Sequence, residues 1–198
     1  MTARIGLFGG SFDPPHIAHQ ALAHTALDAL RLDELRWVPA GRPWQKGRVM
    51  TPVAQREAMV RLAIAGEPRF VLERCEIERP GPSYTLDTVR ELQAANPGAQ
   101  WFLVIGGDQY AGLHTWRDWP ELLARVVLAV ANRPGPLPPV DAAVLGVAHR
   151  VVPLPMMDIS STAIRLRVAA GQAIDEWVPP PVARYIEQHA LYRVTSGN

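Results

Sequence analysis

The chain has 198 residues, 48% of them hydrophobic and 20% charged, with a formal net charge of +1, a globular balance and not a disordered one. Twenty basic against nineteen acidic residues create no sequence-wide basic field, so nucleic acid is not an expected partner, and no run of about 18 apolar residues offers a membrane span. The single Cys75 excludes an internal disulfide and a cysteine zinc site and suits a reducing compartment. The N-terminus lacks a signal-peptide pattern, so the expectation is a soluble cytoplasmic protein. At about 150 residues per domain, residues 1–198 read as one domain with a helical C-terminal portion, about 159–198, packed on it; a homo-oligomer is compatible with this.

In chain order, the apolar run Arg4 to Phe8 closed by Gly9 and Gly10 predicts a buried strand ending in a turn. From Ile17 to Leu30 the residues Ala18, Leu22, Ala26 and Leu30 recur every fourth position, an amphipathic helix. Glu34 to Pro39 is strand-like. Thr51 followed by Pro52 predicts an N-cap with proline at the first helical position of a helix to about Ile64. Phe70 to Ile77 alternates as a strand. Thr85 is expected to cap a helix to about Ala95, stopped by Asn96-Pro97-Gly98.

Trp101 to Ile105 is apolar enough to require cover on both faces, and Val126 to Ala131 repeats that character. Arg133 to Pro139 holds four prolines and reads as a surface loop. Ser160 or Ser161 caps a helix ending near Gly171, and Pro179-Pro180-Pro181 leads into a last helix to about Leu191. Strands alternating with helices demand right-handed crossovers. The fold class is therefore α/β, a Rossmann-like, doubly wound and mostly parallel sheet, with ligands expected at the carboxyl ends of its strands.

The segment Gly9-Gly10-Ser11-Phe12-Asp13-Pro14-Pro15-His16-Ile17-Ala18-His19 joins the first strand to the first helix. It has neither the three-glycine dinucleotide fingerprint nor the P-loop ending. Two glycines allow close backbone approach to a ligand, and the helix start offers N–H groups and a positive dipole end. His16 and His19 share one helical face. Such a pair fits a packed structural contact, a phosphate contact or a metal site, although zinc hydrolases space their histidines four apart around a glutamate. A second anion-ready helix start, Ile159-Ser160-Ser161-Thr162-Ala163-Ile164-Arg165, combines hydroxyls with a guanidinium one turn on.

Together these two segments resemble the nucleotidyltransferase superfamily pattern GGSFDPxHxGH with a C-terminal ISSTxIR. Ser83-Tyr84-Thr85-Leu86-Asp87-Thr88, Gly106-Gly107-Asp108 through Leu113 to Trp116, and Asn132-Arg133-Pro134 are similar to the bacterial nicotinate mononucleotide adenylyltransferases in particular. The resemblance spans nearly the whole chain. It implies synthesis of deamido-NAD and pyrophosphate from ATP and nicotinate mononucleotide, with Mg2+ bound mainly through the ATP phosphates and no metal ligand among the protein side chains. Where the family usually has glycine between the histidines this chain has Ala18, whose methyl is expected to narrow the space beside the triphosphate. The loop Gly41 to Lys46 resembles a family segment ending proline-histidine-lysine, so Lys46 carries over better than Trp44 or Gln45.

The resemblance implies that His16, His19, Lys46 and Arg165 are catalytic. ATP is expected to meet Gly9, Gly10, Ser11, Phe12, His16, His19, Gly106, Asp108, Ile159, Ser161, Thr162 and Arg165. The mononucleotide is expected to meet Asp13, Lys46, Tyr84, Thr85, Trp116 and Arg133. Plainer readings stand beside several of these. Thr85 and Asp108 would serve only as caps, Trp116 only as core, and Arg133 only as a solvated loop charge. Trp37, Trp101, Trp119 and Trp177 are expected to pack. Two other functions fit the first and last motifs: another adenylyltransferase of the superfamily, such as one acting on phosphopantetheine, or a nucleotide-binding sensor without turnover.

Overall fold

The computed structural model describes residues 2–42, 50–132, 139–155 and 157–193. Its elements run β1 (Arg4–Gly10), α1 (Ile17–Ala29), β2 (Glu34–Pro39), α2 (Val53–Ile64), β3 (Phe70–Leu72), α3 (Cys75–Glu78), α4 (Thr85–Ala95) and β4 (Gln100–Gly106). There follow α5 (Gly107–Ala111), a 3-10 turn (Leu113–Thr115), α6 (Trp119–Arg125), β5 (Val127–Asn132), β6 (Arg150–Pro153), α7 (Ser161–Ala169) and α8 (Pro180–Gln188). All strand pairs are parallel, in the order β3-β2-β1-β4-β5-β6. The order reverses between β1 and β4, which opens a crevice above their carboxyl ends.

Two-residue alternation along the strands sorts side chains onto two faces. Phe8, Leu35, Trp37, Phe102, Val104 and Val152 pack under α1 and α2 with Leu22, Ala26, Leu27, Val60 and Ile64. Ile5, Leu7, Trp101, Leu103, Ile105 and Val130 pack on the other face with Leu86, Val89, Leu92, Tyr110 and Leu122. A further layer covers the outer side of α2, where Met59 and Ala63 meet Ile164 of α7 and Val178, Val182 and Ile186 at α8. Burying each such side chain contributes about 1.5–3 kcal/mol before entropy is counted. Among the described residues no helix is long and apolar enough to cross a membrane.

The structure corrects several sequence expectations. The strand read over Phe70 to Ile77 ends at Leu72, and Cys75–Glu78 is helical. β3 pairs with β2 only as far as Trp37, and Pro39 two residues on has no N–H to continue a ladder. Thr51 does not cap α2. Pro52 holds the cap position with ψ 140° and its carbonyl accepts from the Gln55 and Arg56 amides. Likewise Tyr84 caps α4 and Thr85 is its first helical residue. Helix α8 stops at Gln188 and not near Leu191, because Ala190 turns left-handed (φ 48°). There the amides of Ala190 and Leu191 bond back to the Glu187 and Ile186 carbonyls, closing a Schellman motif. Strand β6 and the short helices α3 and α6 carry too few periods to be read from sequence.

Candidate active site

The β1–α1 connection lies at the carboxyl end of β1. A Cβ on Gly9 would meet no protein atom within 4 Å, while one on Gly10 would come within 2.9 Å of the Phe12 ring. Phe12 is left-handed (φ 46°), uncommon for a bulky residue. Its ring is 1% exposed and locked among Phe8, His19 and Trp37 at centroid distances of 5.5, 5.1 and 5.1 Å. Packing thus holds a strained turn in place. Phe12, expected to meet ATP, can offer it only main chain.

His16 is the N-cap of α1 and lies stacked on His19, ring centroids 3.6 Å apart. The His16 amide donates to His19 Nδ1 at 3.2 Å. With Nδ1 accepting, a neutral His19 carries its proton on Nε2, so that nitrogen is a donor. The helix start is less open than the sequence implied, since the Ile17 amide already donates to the Trp177 carbonyl at 3.1 Å. Ala18 is 4% exposed, on the inner face of α1 with Leu22 and Ala26.

Helix α7 meets this connection directly. Ser161 Oγ donates to the Pro14 carbonyl and Arg165 Nη1 to the Asp13 carbonyl, each at 2.8 Å, across 147 and 152 positions of sequence. Arg165 Nη2 also donates to Thr162 Oγ1 at 3.1 Å. Ser160, not Ser161, is the cap, accepting from the Ala163 amide at 3.1 Å. Ile159 packs at the edge of the α2–α7–α8 layer. The two anion-ready helix starts therefore share one locality.

On the other side of the crevice, Gly106 ends β4, and a Cβ there would also meet nothing within 4 Å. Gly106 is the N-cap of α5, and its amide donates to Gln109 Oε1 at 3.1 Å. Asp108 is exposed in the first turn and is not the cap. Bare backbone at Gly9 and Gly106, on neighbouring strands, leaves room for a ligand at the point where strand order reverses.

Farther along this edge Tyr84 and Thr85 open α4, with the Arg117 guanidinium 4.8 Å over the Tyr84 ring. Trp116 is half-buried against the neighbouring core. Behind Thr85, Thr88 Oγ1 donates to the buried Glu76 at 2.7 Å and accepts from Arg79 Nη2 at 2.9 Å. Ser83 Oγ accepts from the amides of Gly41 and Arg42 at 3.1 and 3.2 Å. Burial pushes the Glu76 carboxyl above its ordinary value, opposed by hydrogen bonds from Thr88 and Ser83. Lys46, Trp44, Gln45 and Arg133 lie outside the described residues.

Three polar residues that sequence reasoning missed hold the site together. Arg56 is 2% exposed and donates to the carbonyls of Thr51, Ser11 and Ala40 at 3.0, 2.8 and 2.7 Å. Its place on the buried stripe of α2, four before Val60 and seven before Ala63, was the available signal. Asp13, expected to touch the mononucleotide, is fully buried and accepts from the Tyr192 hydroxyl at 2.8 Å and the Thr51 amide at 3.5 Å. Neither Tyr192 nor Glu76 carries a pattern that marks it. Among the described residues no group of three or more histidine, cysteine, aspartate and glutamate side chains could hold a metal ion.

A six-stranded parallel sheet with two phosphate-suited helix starts meeting at its switch point is the arrangement of a nucleotidyltransferase. The chain belongs to the cytidylyltransferase-like family, whose model matches residues 7–167. It is 54% identical to the probable nicotinate-nucleotide adenylyltransferase of Methylibium petroleiphilum, covering 98% of this chain and 94% of that one. It is 47% identical to the protein so described from Bordetella pertussis, with 97% and 99% covered. Its fold matches that of Plasmodium falciparum nicotinic acid mononucleotide adenylyltransferase complexed with NaAD at a TM-score of 0.79 and 19% identity, over 96% of this chain and 97% of the other.

Proposed function

We propose that this chain is a nicotinate-nucleotide adenylyltransferase, transferring AMP from ATP to nicotinate mononucleotide with release of pyrophosphate. The observation that carries the reading is the meeting of the two helix starts, Ser161 on the Pro14 carbonyl and Arg165 on the Asp13 carbonyl, beside the stacked His16 and His19. Full-length similarity to relatives of that description selects this activity over the phosphopantetheine and sensor alternatives.

The acceptor's 5′-phosphate is already a nucleophile. One of its oxygens forms a bond to the α-phosphorus of ATP while the bond from that phosphorus to the bridging oxygen breaks, and the electron pair leaves with pyrophosphate. The protein therefore needs to align the two substrates and neutralise charge, with no general base required. In this reading His19 Nε2–H and His16 meet the α- and β-phosphate oxygens, and Ser161, Thr162 and Arg165 meet the outgoing pyrophosphate. Lys46 adds charge from the β2–α2 connection, and Arg133 contacts the mononucleotide phosphate. Gly9, Gly10, Ser11, Gly106 and Asp108 border the nucleoside, with Asp108 accepting from a hydroxyl.

Magnesium is a hard cation that seeks oxygen ligands. The buried Asp13 carboxylate accepts from Tyr192, and the groups at the two helix starts are imidazole, hydroxyl and guanidinium, with the Asp108 carboxylate assigned to the nucleoside, a donor set that suits Mg2+ held by the substrate phosphates. Bound there, it would screen the negative charge of the triphosphate.

For the acceptor, the start of α4 at Tyr84 and Thr85 favours a carboxylate over an amide, with Trp116 offering a flat face to the pyridine ring. The test is pyrophosphate production with each mononucleotide in turn. The expected result is a catalytic efficiency for nicotinate mononucleotide at least about tenfold above that for the nicotinamide form, about 1.4 kcal/mol of discrimination. Equal efficiencies would remove the Thr85 role, and no product from either would remove the function.

A further inference from the structure

The loop that aims the histidine pair is fastened from outside by Arg56 at Ser11 and Ser161 at Pro14, and by three further groups at Asp13. Asp13 and His16 are separated only by Pro14 and Pro15, and proline fixes φ near −65°, so a displacement at Asp13 is passed along a stiff link to His16. Asp13 is held from three directions. Its carbonyl accepts from Arg165 Nη1 at 2.8 Å, Oδ2 accepts from the Thr51 amide at 3.5 Å, and Oδ1 accepts from the Tyr192 hydroxyl at 2.8 Å.

Tyr192 reaches Asp13 by an unusual backbone route. Beyond α8 both Ala190 and Tyr192 are left-handed, φ 48° and 63°, a conformation non-glycine residues rarely adopt. These two residues turn the chain back so that the phenol passes Met59 Sδ, 4.0 Å from its oxygen, and enters the motif loop. Burial and the neighbouring Asp13 carboxylate push the phenol above its ordinary ionisation range, so it stays a protonated donor at any working pH. Nothing in the transfer step needs this hydroxyl as an acid or base.

We infer that Tyr192 is a positioning residue for adenylyl transfer: its hydroxyl bond to Asp13 fixes the loop that aims His16 and His19 at the phosphates. This rests on the function proposed above. Tyr192→Phe, which keeps the ring and removes the hydroxyl, tests it in the full chain.

The expected result is a kcat about tenfold lower, since misplacement of about 1 Å remote from the chemistry can cost as much as a hundredfold. KM for both substrates should stay within about twofold and the melting temperature within a few degrees, a split that lost packing would not give. Amide exchange in peptides spanning residues 11–20 should quicken about tenfold, with β4 unchanged.

An unchanged kcat in Tyr192→Phe, beside a wild-type chain that turns over, overturns the inference. So does a fall in kcat matched by a comparable loss of folded protein. If the wild-type chain makes no product, the proposed function fails instead. Exchange then decides alone, and an unchanged rate over residues 11–20 overturns the positioning role.

Discussion

At the start of α1 the groups facing the site are two stacked imidazoles rooted in an aromatic cluster with Phe8, Phe12 and Trp37. At the start of α7 they are hydroxyls and a guanidinium on a helix whose one fully buried side chain is Ile164, while Leu166 is 66% exposed. Helix α1 is placed by packing against the sheet. Helix α7 is placed relative to the motif loop largely by the Ser161 and Arg165 hydrogen bonds. Packing is short-ranged and stiff, whereas a hydrogen bond on a half-buried surface contributes only about 0.5–1.5 kcal/mol net. Aim therefore belongs to the first helix start and adaptability to the second.

The largest expected effect breaks the α1 side. His19→Ala removes a donor at developing charge and should lower kcat about a hundredfold, about 3 kcal/mol in the barrier, as read by pyrophosphate release with the melting curve as control. A loss of only a few-fold would take His19 out of the mechanism. On the α7 side Arg165→Ala should lower kcat/KM about thirtyfold, near 2 kcal/mol. Arg165→Lys should recover little of it, because an ammonium cannot span the Asp13 carbonyl and Thr162 Oγ1 as a planar fork does. Full recovery by lysine would show that charge alone matters there.

The smallest effect concerns how the same helices end. Both close in a Schellman turn, α1 through Arg31 at φ 49° and α7 through Gly171 at φ 68°. Gly171→Ala should destabilise the protein by about 1 kcal/mol, and Arg31→Gly should stabilise it by a few tenths to about 1 kcal/mol by relieving the left-handed residue. Urea midpoints at constant slope measure both. Equal and opposite shifts would show that the two turns differ only in the residue each carries.

Much of the sheet was legible because its strands are short apolar runs between glycines and prolines. Glu34–Pro39 was read to the residue, and the class of fold followed from alternation alone. Starts of helices were read one residue early at Thr51, where proline's own extended conformation delayed the helix. Both anion-ready segments were visible as residue types, but their meeting across 147 and 152 positions is a product of the whole fold. The buried polar supports were hidden, since Arg56 and Glu76 look in sequence like solvated charges and become interior only through the partners packed around them, while Asp13 was marked as a ligand contact and not as a buried anchor.

The order of synthesis gives the Asp13–Tyr192 contact a further meaning. Tyr192 comes 179 positions after Asp13, and the carbonyl that receives the Ile17 amide belongs to Trp177. On the ribosome the histidine-bearing loop emerges early, and its bonds to Arg165, Trp177 and Tyr192 form only after those residues have been made. Strand β6 ends at Pro153, so all six strands are synthesised before these three partners. The histidine-bearing loop is therefore completed by partners made after the whole sheet.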